Sequence, residues 1–300
     1  MAGAPTVIAR WWFPHLPVGR AATLRLAVYG FVVLDVLWWD RWLPARAAVP
    51  GDWYRPLAIG RLLHLPVPTS GFVHAVELTL LVAAVLALTG RAPRLVGAAV
   101  FLLYGEWMVL AMSYGKVDHD RFALLVALAV LPTVGRARLF DPRPSEAAGW
   151  AIRCVQVAVV ATYFLAAVAK IRFGGWGWVN GETLVWAVTR RGTFLADPVL
   201  RATWVLHLTQ WGIVAMELAS PLLLVLRGRP QAAYLWLLVA FHLVTFATIT
   251  ILFLPHVICL LAFTPLERVR LAGRRAPRTR GRQRPQWRHA VEPRAGALGR

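Results

Sequence analysis

Lysine is nearly missing from this sequence. Of its 33 basic residues only Lys116 and Lys170 are lysine, and every other positive charge is written as arginine. Acidic residues are scarce too, 14 in all, which leaves a formal charge of +19. Cysteine is limited to Cys154 and Cys259, both within apolar blocks. That placement points to packed small side chains, not to a disulfide framework or a metal site. No C-x-x-C, no histidine pair four residues apart and no zinc-ligand spacing occurs. No glycine-rich phosphate loop opens a helix, so nothing suggests a nucleotide site.

What the chain has in abundance is apolar sequence. Apolar residues make up 58% of it, in long blocks. A helix needs roughly 20 apolar residues to cross a bilayer core, and in lipid it is stable because it satisfies its own backbone. Hydropathy predicts spans over 23–40, 71–90, 93–114, 120–135, 149–171 and 203–226, and the charge pattern divides the apolar stretch that follows into two more, 232–249 and 250–265. The expected fold is all-α: a polytopic transmembrane helical bundle of eight spans over residues 1–266, then a disordered, arginine-rich cytoplasmic tail over 267–300. The first block contains Asp35 and ends in Trp38, Trp39 and Trp42, which reads as a span closing on an aromatic belt, not as a cleaved leader.

The basic residues lie between these blocks and read as topology signals and headgroup contacts, not as a nucleic-acid surface. Arg10 and Arg20, Arg91 and Arg94, Arg136, Arg138 and Arg143, then Arg227 and Arg229 fall in alternate connections. Residues 267–300 hold eleven arginines against two glutamates. Both termini are therefore expected in the cytoplasm of a multi-pass plasma-membrane protein whose first partner is the bilayer. An even number of spans requires the stretch from Ala232 to Phe263 to break, and Pro255 supplies a break. Trp53, Trp176, Trp178, Trp186 and Trp204 join the first three tryptophans at the predicted outer face.

Lys170 ends the run Tyr163-Phe-Leu-Ala-Ala-Val-Ala-Lys-Ile171. A buried amine can release its proton and act as a base, whereas a guanidinium stays charged. The competing reading is a lysine at a helix end that reaches for headgroups. His119, between Asp118 and Asp120, is placed to hold or relay a proton near neutral pH; the competing reading is a capped helix start. Within the spans lie Asp35, His74, Glu77, Glu106, His207, Glu217 and His242. Ionisable groups in a bilayer tend to face the bundle interior or a polar cavity. His74, Glu77, Glu106, His207 and Glu217 therefore stand as a proton path or as helix-pairing groups.

The segment from Tyr163 to Leu184 also resembles a known family. Tyr-Phe-x-Ala-x-x-x-Lys-Ile, then Trp176 or Trp178, then Gly181, is similar to the membrane domain of vitamin K-dependent γ-carboxylase and its bacterial relatives, the HTTM proteins. Ala167 stands where that family usually has glycine, and Ile171 where it has leucine. His119, Glu217-Leu-Ala-Ser-Pro221, Phe241-His242 and Phe253-Leu-Pro255 resemble later motifs in the same order. The resemblance implies a carboxylase-like lyase using reduced vitamin K or menaquinol at the outer membrane face. Lys170 would be its base, His119 a proton carrier, and His242 and Trp178 quinol contacts. Residues 267–300 show no counterpart of the carboxylase's lumenal, substrate-binding domain. The rival expectation is a non-enzymatic maturation, immunity or assembly factor that binds a secreted peptide or another membrane protein. A transporter ranks third, since no repeat symmetry is visible.

Overall fold

The computed structural model describes residues 6–268, and nearly all of the regular structure is helical. The elements are α1 (Val7–Trp12), α2 (Val18–Leu34), α3 (Ala58–Leu62), α4 (Ser70–Leu88), α5 (Pro93–Met112), α6 (Phe122–Val130) and α7 (Glu146–Ala169). They are followed by α8 (Gly175–Asn180), α9 (Thr183–Arg191), α10 (Asp197–Leu200), α11 (Thr203–Leu218), α12 (Arg229–Ile249) and α13 (Leu254–Cys259). Starts are marked by side chains that accept otherwise orphaned amides: the Thr69 hydroxyl accepts from Phe72 at the head of α4, and Ser145 accepts from Ala148 at the head of α7.

Five helical runs are long and apolar enough to cross a membrane: Val18–Trp39, Ser70–Leu88, Pro93–Met112, Glu146–Asn180 and Arg229–Ile249. This count is lower than the eight blocks read from hydropathy and charge. The other three blocks hold α6, α11 and α13, of 9, 16 and 6 residues, each prolonged by a 3-10 turn. Proline explains two of these changes of pitch. Pro132 and Pro221 sit in the first positions of the 3-10 turns that follow α6 and α11, where a residue without an N–H cannot extend the α ladder. The expected break after Ala232 is present, but Pro255 does not make it. Thr250 adopts a left-handed conformation (φ 57°), the chain stays non-helical to Phe253, and Pro255 falls in the first turn of α13, where its missing donor costs nothing.

The packing is uneven. Elements α2, α4, α5, α6, α7 and α13 share one core around the fully buried Tyr29, Tyr104, Trp107, Leu124 and Ile152. Near its start α7 is crossed by the N-terminal segment at Gly149, where a Cβ would meet the Pro14 carbonyl oxygen at 1.5 Å. The later helices are more loosely held. Helix α12 buries only Leu238 and His242. A small cluster of Ala167, Val179 and Val214 joins α7, α8 and α11. Ala167 is fully buried there.

Several arginines do not act as headgroup contacts. Arg25 is buried and donates to the carbonyls of Gly135 (3.0 Å) and Leu131 (2.9 Å). Arg20 donates twice to Glu267, at 2.9 and 2.7 Å. The rest of the predicted tail beyond Arg268 lies outside the described residues.

Arg121 is the most constrained of all. It donates to Asp35, to the Tyr104 hydroxyl at 2.9 Å and to Asp40 at 3.2 Å, and Tyr104 itself donates to Asp35 at 2.8 Å. All four residues are buried. Removing one partner of a buried ion pair leaves an uncompensated charge and costs about 3–5 kcal/mol. Arg121→Met is expected to destabilise by that amount, read as the unfolding midpoint in detergent micelles. The triple variant Asp35→Asn, Asp40→Asn, Arg121→Met is expected to recover most of the loss; a triple variant no more stable than Arg121→Met would show that the charges are not what ties these helices.

Candidate functional site

Helix α7 ends on Lys170, which opens a π-helical turn over Lys170–Gly174 leading into α8. π turns interrupt α-helices frequently at functional sites. The Lys170 ammonium donates to both oxygens of Glu217 on α11, at 2.7 and 2.6 Å. It lies 5.3 Å from the centre of the Trp178 ring, within range of a cation–π attraction. Trp178 is placed by Gln210 of α11. Gln210 is fully buried, its amide donates to the carbonyls of Trp178, Val179 and Gly181 at 2.9, 2.9 and 3.0 Å, and its oxygen accepts from Leu184 at 2.8 Å. Every polar atom of that side chain is thereby used to hold the turn between α8 and α9.

Two turns before Lys170 on the same face of α7, the Tyr163 hydroxyl shares a 2.6 Å hydrogen bond with Nε2 of His242 on α12. His256 of α13 stands edge-on to the same tyrosine ring, 4.5 Å between centroids, and 6.0 Å from His242. His119, in the turn before α6, faces Phe253 with ring centroids 6.3 Å apart.

Lys170, Glu217, Trp178, Tyr163, His242, His256 and His119 line one cavity of about 260 Å³. An apolar hollow of about 560 Å³ shares Leu184, Ile213, Phe241, Thr245 and Ile249 with it as a common wall. A polar hollow of about 470 Å³, with Asp40, Lys116, Asp118, Arg121 and Arg191, meets it at His119, Asp120, Ile251 and Phe253. The chamber thus stands between an apolar and a polar compartment, and His119 belongs to the wall on the polar side.

The structure brings Lys170, His119, His242, Trp178 and Glu217 into one place, although they come from five separate segments. It does not bring the other candidates there. His74 is exposed on α4, its Nδ1 2.8 Å from the Ser70 carbonyl. Glu77 and Glu106 line neither the chamber nor its neighbours. His207 faces Glu182 at 3.6 Å. Asp35 belongs to the Arg121 cluster. Asp118 does not cap a helix with its side chain but pairs with Lys116 at 2.7 Å. Sequence reasoning missed Gln210 and His256 and left Tyr163 as motif only. Tyr163 had a signal, since it lies seven residues before Lys170 and shares its helix face. His256 had none, because the non-helical stretch before α13 breaks the periodicity that would have aligned it with His242.

Among the described residues no group of three or more acidic, histidine or cysteine side chains could hold a metal ion. No protein family, curated protein or solved structure matches the chain.

His119 lies outside the long apolar helices. Burial lowers its pKa first, the nearby Lys170 charge lowers it further, and Asp118 opposes both. A histidine whose folded pKa lies below its unfolded value of about 6.5 binds fewer protons folded than unfolded, so its contribution to stability falls with acidification through that window. Relative to His119→Gln, the wild type is expected to lose stability as pH drops from 7.5 toward 5, and the His119 imidazole resonance in labelled protein to titrate below 6.5. A wild type that gains on the variant over this range would reverse the assignment.

Proposed function

We propose that this chain is a membrane enzyme that binds an amphipathic quinol-type ligand in the chamber and uses Lys170 as the base on its hydroxyl. The observation that carries this reading is the Lys170–Glu217 pair, an amine and a carboxylate 2.6 and 2.7 Å apart in the wall of a cavity adjoined by an apolar hollow. The resemblance to the HTTM proteins and to the carboxylase membrane domain points the same way, since it assigns the base to Lys170 and a ligand contact to His242.

The residues present fit such a group. The chamber offers hydrogen-bonding side chains on otherwise apolar walls, and three imidazole nitrogens on those walls, both of His256 and Nδ1 of His242, have no partner among the described residues. When bound, a quinol would supply a reducing equivalent and an acidic hydroxyl. The apolar hollow suits its hydrocarbon tail.

Glu217 has two roles in this arrangement. It holds the Lys170 amine in one position, and it can take the ammonium proton across a single short hydrogen bond. The pair is neutral overall whether the proton lies on nitrogen or oxygen, so the exchange creates no net buried charge. With the proton on Glu217, Lys170 is a free base. Its nitrogen then accepts the proton of a ligand hydroxyl; one O–H bond breaks, one N–H bond forms, and the new ammonium sits beside the oxygen that lost the proton. Arginine cannot do this, because its guanidinium does not give up its proton. His119 is the group through which a proton would pass to the polar compartment.

In the same reading the chain crosses a bacterial plasma membrane eight times, with both termini cytoplasmic and the chamber toward the outer leaflet. The five long helices support it, together with the shorter apolar α6, α11 and α13. Protein carboxylation, the lyase reaction of the similar family, is the specific activity to which this chemistry would belong. A second reading draws on Phe173, Trp176, Trp186, Phe194 and Trp204, all strongly exposed between α7 and α11; it makes the chain a non-enzymatic partner of a secreted peptide or another membrane protein.

The test is menaquinol binding by purified protein in nanodiscs, together with menaquinol oxidation when dioxygen is supplied as the two-electron acceptor. Lys170→Arg and Lys170→Met are expected to keep saturable binding and lose turnover by about 100-fold or more, the range typical for loss of a general base. Glu217→Gln is expected to fall between them and the wild type. Full turnover in Lys170→Arg would remove the base assignment. No binding by well-folded wild type would favour the partner reading.

A further inference from the structure

His256 is 2% exposed, and neither of its ring nitrogens has a hydrogen-bond partner among the described residues. His242, 4% exposed, uses Nε2 on Tyr163 and leaves Nδ1 without one. Buried polar atoms are paired in the great majority of cases, and leaving one unpaired costs its full desolvation penalty. Three such atoms here fall on two neighbouring rings in the wall of one cavity. A helix start that merely needed a filler after Pro255 would carry phenylalanine or leucine at no such cost. The family resemblance assigns nothing to position 256.

The environment of the ring narrows what it could bind. Its contacts are the Tyr163 and His242 rings, and its position in the cavity is among Phe241, Phe253 and other apolar walls. The charged Lys170–Glu217 pair balances itself. Nothing beside His256 supplies a fixed countercharge for an ionised ligand group. A neutral imidazole offers one donor and one acceptor, which suits a neutral hydroxyl or carbonyl oxygen.

We propose that His256, together with His242, is a binding residue for a neutral oxygen of the ligand head group, on the wall formed by Tyr163, α12 and α13. This rests on the ligand class argued above and adds a residue to it. A ring that can donate or accept takes a hydroxyl and a carbonyl alike, so both redox states of the head group are retained in the chamber. Lys170, by contrast, acts only on the hydroxyl.

The experiment compares wild type, His256→Phe and His256→Gln in nanodiscs. It measures unliganded melting temperature, menaquinone and menaquinol affinity by quenching of tryptophan fluorescence, and the carbonyl stretch of bound menaquinone by infrared difference spectroscopy. His256→Phe fills the same space without polar atoms. It is expected to melt at the same or a higher temperature, to weaken both ligands about tenfold, and to lose a downshifted carbonyl band present in wild type. His256→Gln, which keeps a donor and an acceptor, is expected to bind within about threefold of wild type. Equal affinity of wild type and His256→Phe, or a His256→Phe variant that melts lower and binds normally, overturns the role of His256 while leaving the chamber's ligand class standing. Absence of saturable binding by the wild type overturns both.

Discussion

A single buried guanidinium closes the bundle at the end where the chamber lies. Arg121 precedes α6, Asp35 and Asp40 flank the last turn of the α2 run, and Tyr104 lies on α5. Four side chains from three helical segments thus meet at one charge centre with almost no access to solvent. In a membrane the apolar faces of helices gain little from meeting each other, because lipid is equally apolar. A charged cluster that can be satisfied in one arrangement only is a stronger positional constraint than another leucine contact. The same cluster fixes the start of α6 and with it His119, two residues before Arg121. The wall between chamber and polar hollow therefore inherits its position from the arginine.

Two π turns make this geometry available. In the first, the Asp40 amide donates to the Asp35 carbonyl at 2.7 Å. Residues five apart on an α-helix point in different directions, whereas the wider π turn brings them toward one face. That is how two carboxylates at positions 35 and 40 reach one guanidinium. The second turn begins at Lys170. It delivers the chain through Gly174 and Gly175 into α8, and Gly175 adopts φ 56° there, a conformation costly for any residue with a Cβ. Trp178 comes back over the lysine as a result. Each turn begins with an ionisable residue, Asp35 in the turn over Asp35–Trp39 and Lys170 in the turn over Lys170–Gly174.

What sequence could tell follows from what periodicity and composition report. Long apolar runs announced the all-α architecture because a lipid-exposed helix has to be apolar over its whole length. The scarcity of lysine singled out Lys170, and ordered short motifs placed Glu217 and His242 in the same series, but Glu217 was legible only as a proton-path or helix-pairing group and not as the partner of Lys170. Three classes of feature stayed hidden. Pitch changes at Pro132 and Pro221 shorten helices without altering hydropathy, so eight apolar blocks became five long helices and three short ones. Arginines written in the same letters as the topology signals turned out to bind carbonyls and carboxylates inside the bundle, as Arg25 and Arg121 do. His256 sits beyond an irregular stretch that erases helical phase, and only the fold shows that it faces Tyr163.

The chamber's location follows from the unequal packing of the two parts of the chain. Helices α2, α4, α5, α6, α7 and α13 share a continuous core, while α12 leaves most of its surface uncovered. Groups that must not move, the Arg121 cluster and the start of α6, stand on the first set. Lys170 is at the end of α7, a helix of that set, and its counter-ion is on α11, which is not. For the ligand proposed above, a site held wholly within the tight core would have fixed geometry and no route of entry. One built wholly on the loose helices would have a route and poorly placed side chains. Putting the lysine on the rigid side, with Glu217 and His242 on the other, meets both requirements, and the one short ion pair and one short hydrogen bond that cross the seam keep the two parts in register.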